Sequence, residues 1–243
     1  MRPYELYYWS EIQGRGEFVR LALEEAGAPY VDVARLPESK GGGHRAILRV
    51  LRGQLGPRLP FAAPILRAGR IVVAQTAAIL QFLAPRHGLV PKDAASQLWA
   101  HQLQLTIADF LVEVHDTHHP IAVDLYYEDQ REEAKRRTEY FRRERLPLFL
   151  GYFERVLVKN GGRHPVSGRF SYVDLSLFQI LEGLEYAFPR AFRAVRRRIP
   201  KLEALRETVK QRPRMAAYLS SPRRIPFNTW GIFRHYPELD AAA

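Results

Sequence analysis

Two stretches of the chain place hydroxyls and a guanidinium at spacings that suit anion chemistry. Tyr7, Tyr8 and Ser10 stand just ahead of Gln13-Gly14-Arg15-Gly16-Glu17, where a helical pattern begins. A hydroxyl beside a helix N-terminus meets free backbone N–H groups and the positive end of the helix dipole, so it can hydrogen-bond an anion held there. Arg15 would add a full charge. Gln75-Thr76 opens a second helix in the same way. Thr76 could cap it, and the free N–H groups suit a carboxylate. Ala63-Pro64 leads into strand-like sequence. Proline there needs an edge, a bulge or a cis bond, and a cis bond would aim the Ala63 backbone outward, toward a peptide ligand. Each feature has a plainer alternative: a packing tyrosine, a strand-entry proline, a helix cap without a ligand.

Two further motifs carry polar chemistry. In His115-Asp116-Thr117-His118-His119 the first and last histidines are i, i+4 and could pair on a metal. No carboxylate at matching spacing completes a firm ligand set, so we expect no metal here. A pocket wall or a surface cluster is the simpler expectation, with a neutral imidazole polarising a bound molecule as the alternative. Ser171-Tyr172-Val173-Asp174 has the form of a capping box, and we read it as structural.

These residues need elements to position them. Tyr4 to Trp9 is aromatic and strand-like. Val19, Ala22, Leu23 and Ala26 repeat as i, i+3, i+4, i+7 on an amphipathic helix that Gly27 ends. Residues 29–33 form a second strand, which makes a βαβ unit with a parallel pair. Residues 65–67 and 71–73 flank a compact hairpin turn, and a helix follows over 75–83. This order describes a small α/β domain over residues 1–85. Pro85 to Pro91 lacks periodicity, and residues 86–91 serve as a linker. Residues 92–243 read as all-helical, with long helices over about 94–124 and 129–159, an apolar helix over 172–186 and another over 201–211.

Composition narrows the chemistry further. The chain has 243 residues and no cysteine. That removes disulfides, thiolate metal sites and a cysteine nucleophile. A hydrophobic fraction of 47% excludes disorder. The net charge of +11 invites a nucleic-acid or anionic ligand. The basic runs at 135–137, 142–145 and 196–198 are mostly mixed with glutamates, as solvated helix faces are, so nucleic acid is an unlikely partner. No segment has the length of a bilayer span, and nothing at the N-terminus resembles a signal peptide, so we expect a cytoplasmic protein without membrane contact.

With these residues in order, the sequence resembles the cytosolic glutathione S-transferases over nearly its whole length. Tyr8 followed by Gly14-Arg15-x-Glu17-x-x-Arg20 is similar to the tyrosine-type classes (alpha, mu, pi and sigma). Ala63-Pro64, Gln75-Thr76, the capping box and Pro213-x-x-x-x-Tyr218 fall where the family keeps its cis-proline, its Gln-Ser pair and its later helices. The resemblance implies a thioredoxin-like N-terminal domain (α+β) followed by an all-α domain. It implies an enzyme that joins the glutathione thiolate to a small hydrophobic electrophile. Glutathione would be a co-substrate, with no separate cofactor, and the protein would be a homodimer.

By the same resemblance Tyr8, helped by Arg15, would activate the thiol. One extra residue separates Tyr8 from Gly14 compared with the tyrosine classes, so Ser10 or Tyr7 stands as an alternative. Gln75 and Thr76 would hold the γ-glutamyl end, and the Ala63 backbone beside Pro64 would pair with the cysteinyl unit. Lys40, or another basic residue up to Arg45, would take the glycine carboxylate. Asp109 would reach the ligand of a neighbouring subunit. Trp9, His115 and His119 would line the acceptor pocket. A non-catalytic binding or interaction module on the same fold is the alternative function.

Overall fold

A computed structural model describes residues 2–240. Strand β1 (Tyr4–Tyr7) is followed by helix α1 (Gly16–Ala26) and strand β2 (Tyr30–Asp32). Helix α2 (Gly43–Leu51) leads through a long loop to the hairpin of β3 (Ile65–Ala68) and β4 (Ile71–Ala74) and then to helix α3 (Thr76–Leu83). The four strands are ordered β2-β1-β3-β4, with β1 parallel to β2 and antiparallel to β3. Leu6, Val19, Leu23, Leu66, Ile79 and Leu83 make the core between the sheet, α1 and α3. Tyr7, Val33, Ala46, Ile47, Val50 and Ile65 make a second core on the side of α2. This is a thioredoxin-like layer arrangement, helix on sheet on helix.

The remainder is helical: α4 (Ala94–His115), α5 (Arg131–Tyr140), α6 (Leu146–Lys159), α7 (Tyr172–Ala187), α8 (Pro189–Arg196), α9 (Pro200–Gln211) and α10 (Pro213–Leu219). Helix α7 is buried almost all round, as a central helix must be. Phe18, Leu21 and Ala22 of α1 join the helical core, so α1 belongs to both halves. Its Glu17 carboxylate accepts from Tyr218 at 3.0 Å, and Arg20 pairs with the half-buried Asp32 at 2.7 Å; Glu17, Arg20 and Tyr218 are buried at the junction.

Three elements differ from the sequence expectation. Helix α4 stops at His115, not near residue 124. Pro120 disfavours helical backbone at His119, and the chain turns instead. The expected helix over 129–159 is broken by a π-helical turn at Phe141–Arg145, just before Pro147 near the start of α6. A proline there cannot donate the next helical hydrogen bond, and the wider turn accommodates it. Helix α8 was absent from the periodicity because only Phe192 and Val195 of its residues are buried.

Candidate active site

Strand register gathers the first group of candidates. Tyr7 pairs with Ile65, and Ile65 pairs with Ala74. One residue further along each strand lie Tyr8, Pro64 and Gln75, so the three motifs meet at one end of the sheet. The Ala63-Pro64 bond is cis. Ala63 is half-buried and Pro64 buried, which leaves the Ala63 backbone at the rim. Gln75 is held at φ 70°, ψ 125° between β4 and α3. A non-glycine residue rarely adopts that left-handed backbone, and such conformations cluster at ligand sites. Thr76 does not cap α3; it is the first helical residue, and its hydroxyl donates to the Arg15 carbonyl at 3.3 Å. That bond ties α3 to the start of α1.

Tyr8 lies under that start. Its hydroxyl oxygen accepts from the Arg15 backbone N–H at 2.8 Å, which leaves its own proton to donate. The ring is 4% exposed and packs on two glycines. A Cβ added to Gly16 would lie 2.4 Å from the ring, and one added to Gly14 would lie 2.1 Å from the hydroxyl. The additional residue before Gly14 is therefore taken up in the turn, and Tyr8 still reaches the helix N-terminus. Burial pushes its phenol up from the ordinary value, and the Arg15 N–H and the Arg15 and Arg20 charges offset this only in part. Tyr8 thus stays a neutral donor at pH 7.

The alternatives point elsewhere. The Tyr7 hydroxyl donates to Glu5 at 2.6 Å and is pushed up to about 12, mainly by burial and by that carboxylate. Ser10 donates to Glu11 at 2.5 Å on the surface. Trp9 packs with the core on the α2 side and meets the His44 ring edge-on at 5.2 Å, so it faces α2, not the helical domain. His44, bonded to Glu11 at 2.9 Å, is a basic group beside Trp9 that spacing did not single out. Lys40 is exposed in the preceding loop, and no described contact ties it to Tyr8. Asp109 is exposed on α4, between Leu105 and Val112 on the same outward face.

The second group of candidates lies where α4 ends. His118 and His119 both donate backbone N–H groups to the His115 carbonyl at 3.2 Å, so a last turn folds all three rings together. The His115 and His119 rings stack at 4.8 Å, and His118 meets them at 5.2 and 4.9 Å. His118 is the member that the i, i+4 reading missed; it is 1% exposed. His115 is pushed down to about 4 by burial and by the charges of His119, Arg15 and Arg234. Burial and Arg234 likewise hold His118 and His119 below the ordinary imidazole value. The Arg15 charge acts on both Tyr8 and His115.

The C-terminal segment closes over the same side. Gln13 donates to the Ile225 carbonyl, and Asn228 donates to the Glu11 carbonyl at 2.8 Å. Phe233 fills the space above Gly183, where any Cβ would lie 2.4 Å from its ring. Tyr236 stacks on Tyr127 at 3.9 Å, and Asp240 accepts from the first N–H groups of α8 at 2.7 and 3.1 Å. Away from the site, the expected capping box is present: Asp174 accepts from Ser171 N–H at 2.8 Å and also meets His164 at 2.8 Å.

Comparison with known proteins agrees with this architecture. Residues 115–222 match the model of the "Glutathione S-transferase, C-terminal domain" family. The chain is 23% identical over 223 residues to a glutathione S-transferase of Plasmodium falciparum, covering 89% of this chain and 94% of that one. It is 27% identical over 228 residues to glutathione S-transferase P 1 of Xenopus laevis, covering 92% and 95%. Among solved structures, the prostaglandin synthase D of Nilaparvata lugens superimposes with a TM-score of 0.70 at 21% identity, covering 93% of this chain and all of that one.

Proposed function

Since the chain belongs to the cytosolic glutathione S-transferase family, we propose that it joins the sulfur of glutathione to a small hydrophobic electrophile, with Tyr8 activating the thiol. The observation that carries this reading is the buried, neutral Tyr8 hydroxyl held at the N-terminus of α1 beside the cis Ala63-Pro64 bond. A free thiol titrates near ~8.5, so little of it is ionised at neutral pH. Lowering that by ~2 units requires ~2.7 kcal/mol of selective thiolate stabilisation. A hydrogen bond from Tyr8 to sulfur contributes roughly 1.5–3 kcal/mol, and the α1 dipole and Arg15 add to it. The thiolate then attacks an electrophilic carbon: a C–S bond forms, and the leaving group departs or the proton returns from solvent.

The rim fits a peptide-like anion. The Ala63 backbone presents hydrogen-bonding groups to the cysteinyl unit. Gln75 and the N-terminus of α3 face the γ-glutamyl carboxylate, and His44 or Lys40 is available to the glycine end. Replacing Tyr8 by Phe should lower kcat/KM for an aryl halide at least tenfold, about 1.4 kcal/mol, while glutathione still binds in calorimetry. Unchanged turnover would remove Tyr8 from the role.

A homodimer is part of the proposal. Phe61 is 94% exposed just before the cis bond, and Leu98, Leu105 and Val112 recur every seventh residue along the outer face of α4. That stripe, with Asp109 in it, suits a second copy of the chain. No described helix is long and apolar enough to cross a membrane, and we infer a cytosolic setting from the relatives' family. One observation favours the non-catalytic reading: the tail from Ile225 to Tyr236 is pinned across the acceptor side at several points. Glutathione binding without turnover of any electrophile would support it.

A further inference from the structure

We propose that His115, His118 and His119 form a site for a divalent transition-metal ion, Zn2+ by the chemistry of its donors. One ring nitrogen from each of the three lies within 4.8 Å of the others. Three points no farther apart than that share a centre within about 2.8 Å of each (4.8/√3). Zinc–imidazole bonds are ~2.0–2.1 Å, so each nitrogen has to close by less than ~1 Å, which a change in side-chain torsions provides.

The tautomer suits coordination at His118. Thr117 donates its hydroxyl proton to the Val114 carbonyl at 2.7 Å, so its oxygen is left to accept from His118 Nδ1 at 3.5 Å. That arrangement leaves Nε2 of His118 without a proton. This nitrogen is buried and has no hydrogen-bond partner among the described residues. A buried polar atom left without a partner is costly, and a metal ion supplies what it lacks. Nδ1 of His115 lies 3.9 Å from the Asp116 carboxylate, an ion-pair distance and too long for a hydrogen bond. His119 lies against Gln130, whose amide N–H donates to its Nδ1 at 3.3 Å. The ring must turn from that contact for Nδ1 to ligate.

Charge around the cluster sets what completes the coordination. The charges of Arg15 and Arg234 act on His115, and the Asp116 carboxylate opposes them at His119. Three neutral imidazoles leave the ion its full double charge, so an anion in the fourth position is needed to offset both the ion and these cations. The site is therefore a three-histidine centre with one position open to hydroxide or another small anion.

The test uses the untagged full chain, stripped of metal with a chelator, and titrated with Co2+ and with Zn2+ alone. We expect saturable binding of a single ion per chain and a visible Co2+ spectrum of the intense, low-coordinate kind, bleached by Zn2+. His118→Gln and His115→Ala should each weaken binding roughly tenfold or more, whereas His44→Ala, on the distant Glu11 contact, should leave it intact. Absence of saturable binding by the wild-type chain overturns the site. So does binding that survives both the His118→Gln and His115→Ala replacements. The readout needs neither glutathione nor an electrophile, so it stands or falls separately from the transferase reading.

Discussion

The two sides of the candidate site are built by different rules. The sheet edge is local: Tyr8, Pro64 and Gln75 sit one residue beyond paired strand positions, and register alone brings them together. The histidine side is assembled from afar: Tyr236 from the tail meets the turn after α4, and the charges of Arg15, ahead of α1, and Arg234 act on it. The first arrangement rests on the sheet and on the packing of Tyr8 under the start of α1. The second depends on packing contacts that can loosen while the fold persists, and that is where relatives on one scaffold can differ in what they accept.

The largest effect should come from breaking the sheet edge alone. Gly16→Val drives a side chain into the Tyr8 ring. Overpacking of this kind costs ~1–3 kcal/mol, and the displaced hydroxyl should reduce turnover by tenfold or more. Thermal unfolding and a conjugation assay read the two together. Full activity with a normal melting temperature would mean that Tyr8 is not held as described.

Breaking the other side should act differently. Gly183→Val evicts Phe233, and the tail should detach at a cost of ~1–3 kcal/mol. Trp230 is 71% exposed already, so proteolysis within residues 225–236 is the better readout than fluorescence. Cleavage should rise sharply while glutathione binding holds. If binding falls equally, the two sides are not independent.

The smallest effect concerns the support beneath the histidine turn. Burial alone would raise the Glu113 carboxyl, but Arg145 at 2.6 Å and Arg137 at 3.4 Å hold it below the ordinary carboxylate value. A depressed carboxylate stabilises the fold above its unfolded pKa, ~4.3, and that contribution fades as pH falls through the lower folded value. Because the network is partly solvated, Glu113→Gln should cost at most ~1 kcal/mol at pH 7. Its melting temperature should converge with that of the wild type below about pH 4. A gap that widens in acid would contradict the sign.

The same contrast explains what the sequence made legible. Ser171 and Asp174 are three residues apart, and the capping box they form is wholly local. Gly27 ends α1 at φ 61°, where a left-handed residue was needed. The βαβ order and the hairpin follow from alternation and glycine in the same way. His118 was not legible, because helical spacing pairs His115 with His119 and only the turn forced by Pro120 folds the third ring inward. The orientation of Trp9 toward His44, and the arrival of Arg234 beside the histidines, depend on contacts between segments far apart in the chain. No periodicity carries that information.

A neutral Tyr8 that donates to sulfur must lower the pKa of a bound thiol, and the titration of that thiol reads the effect without the chemistry that follows. Ultraviolet absorbance of the thiolate can be followed against pH for glutathione bound to the wild-type chain and to Tyr8→Phe. Ionisation is expected ~2 units below the free value of ~8.5 in the wild type, with a return most of the way toward it in the variant. Identical titrations, or a wild-type thiol that ionises as it does in water, would contradict it.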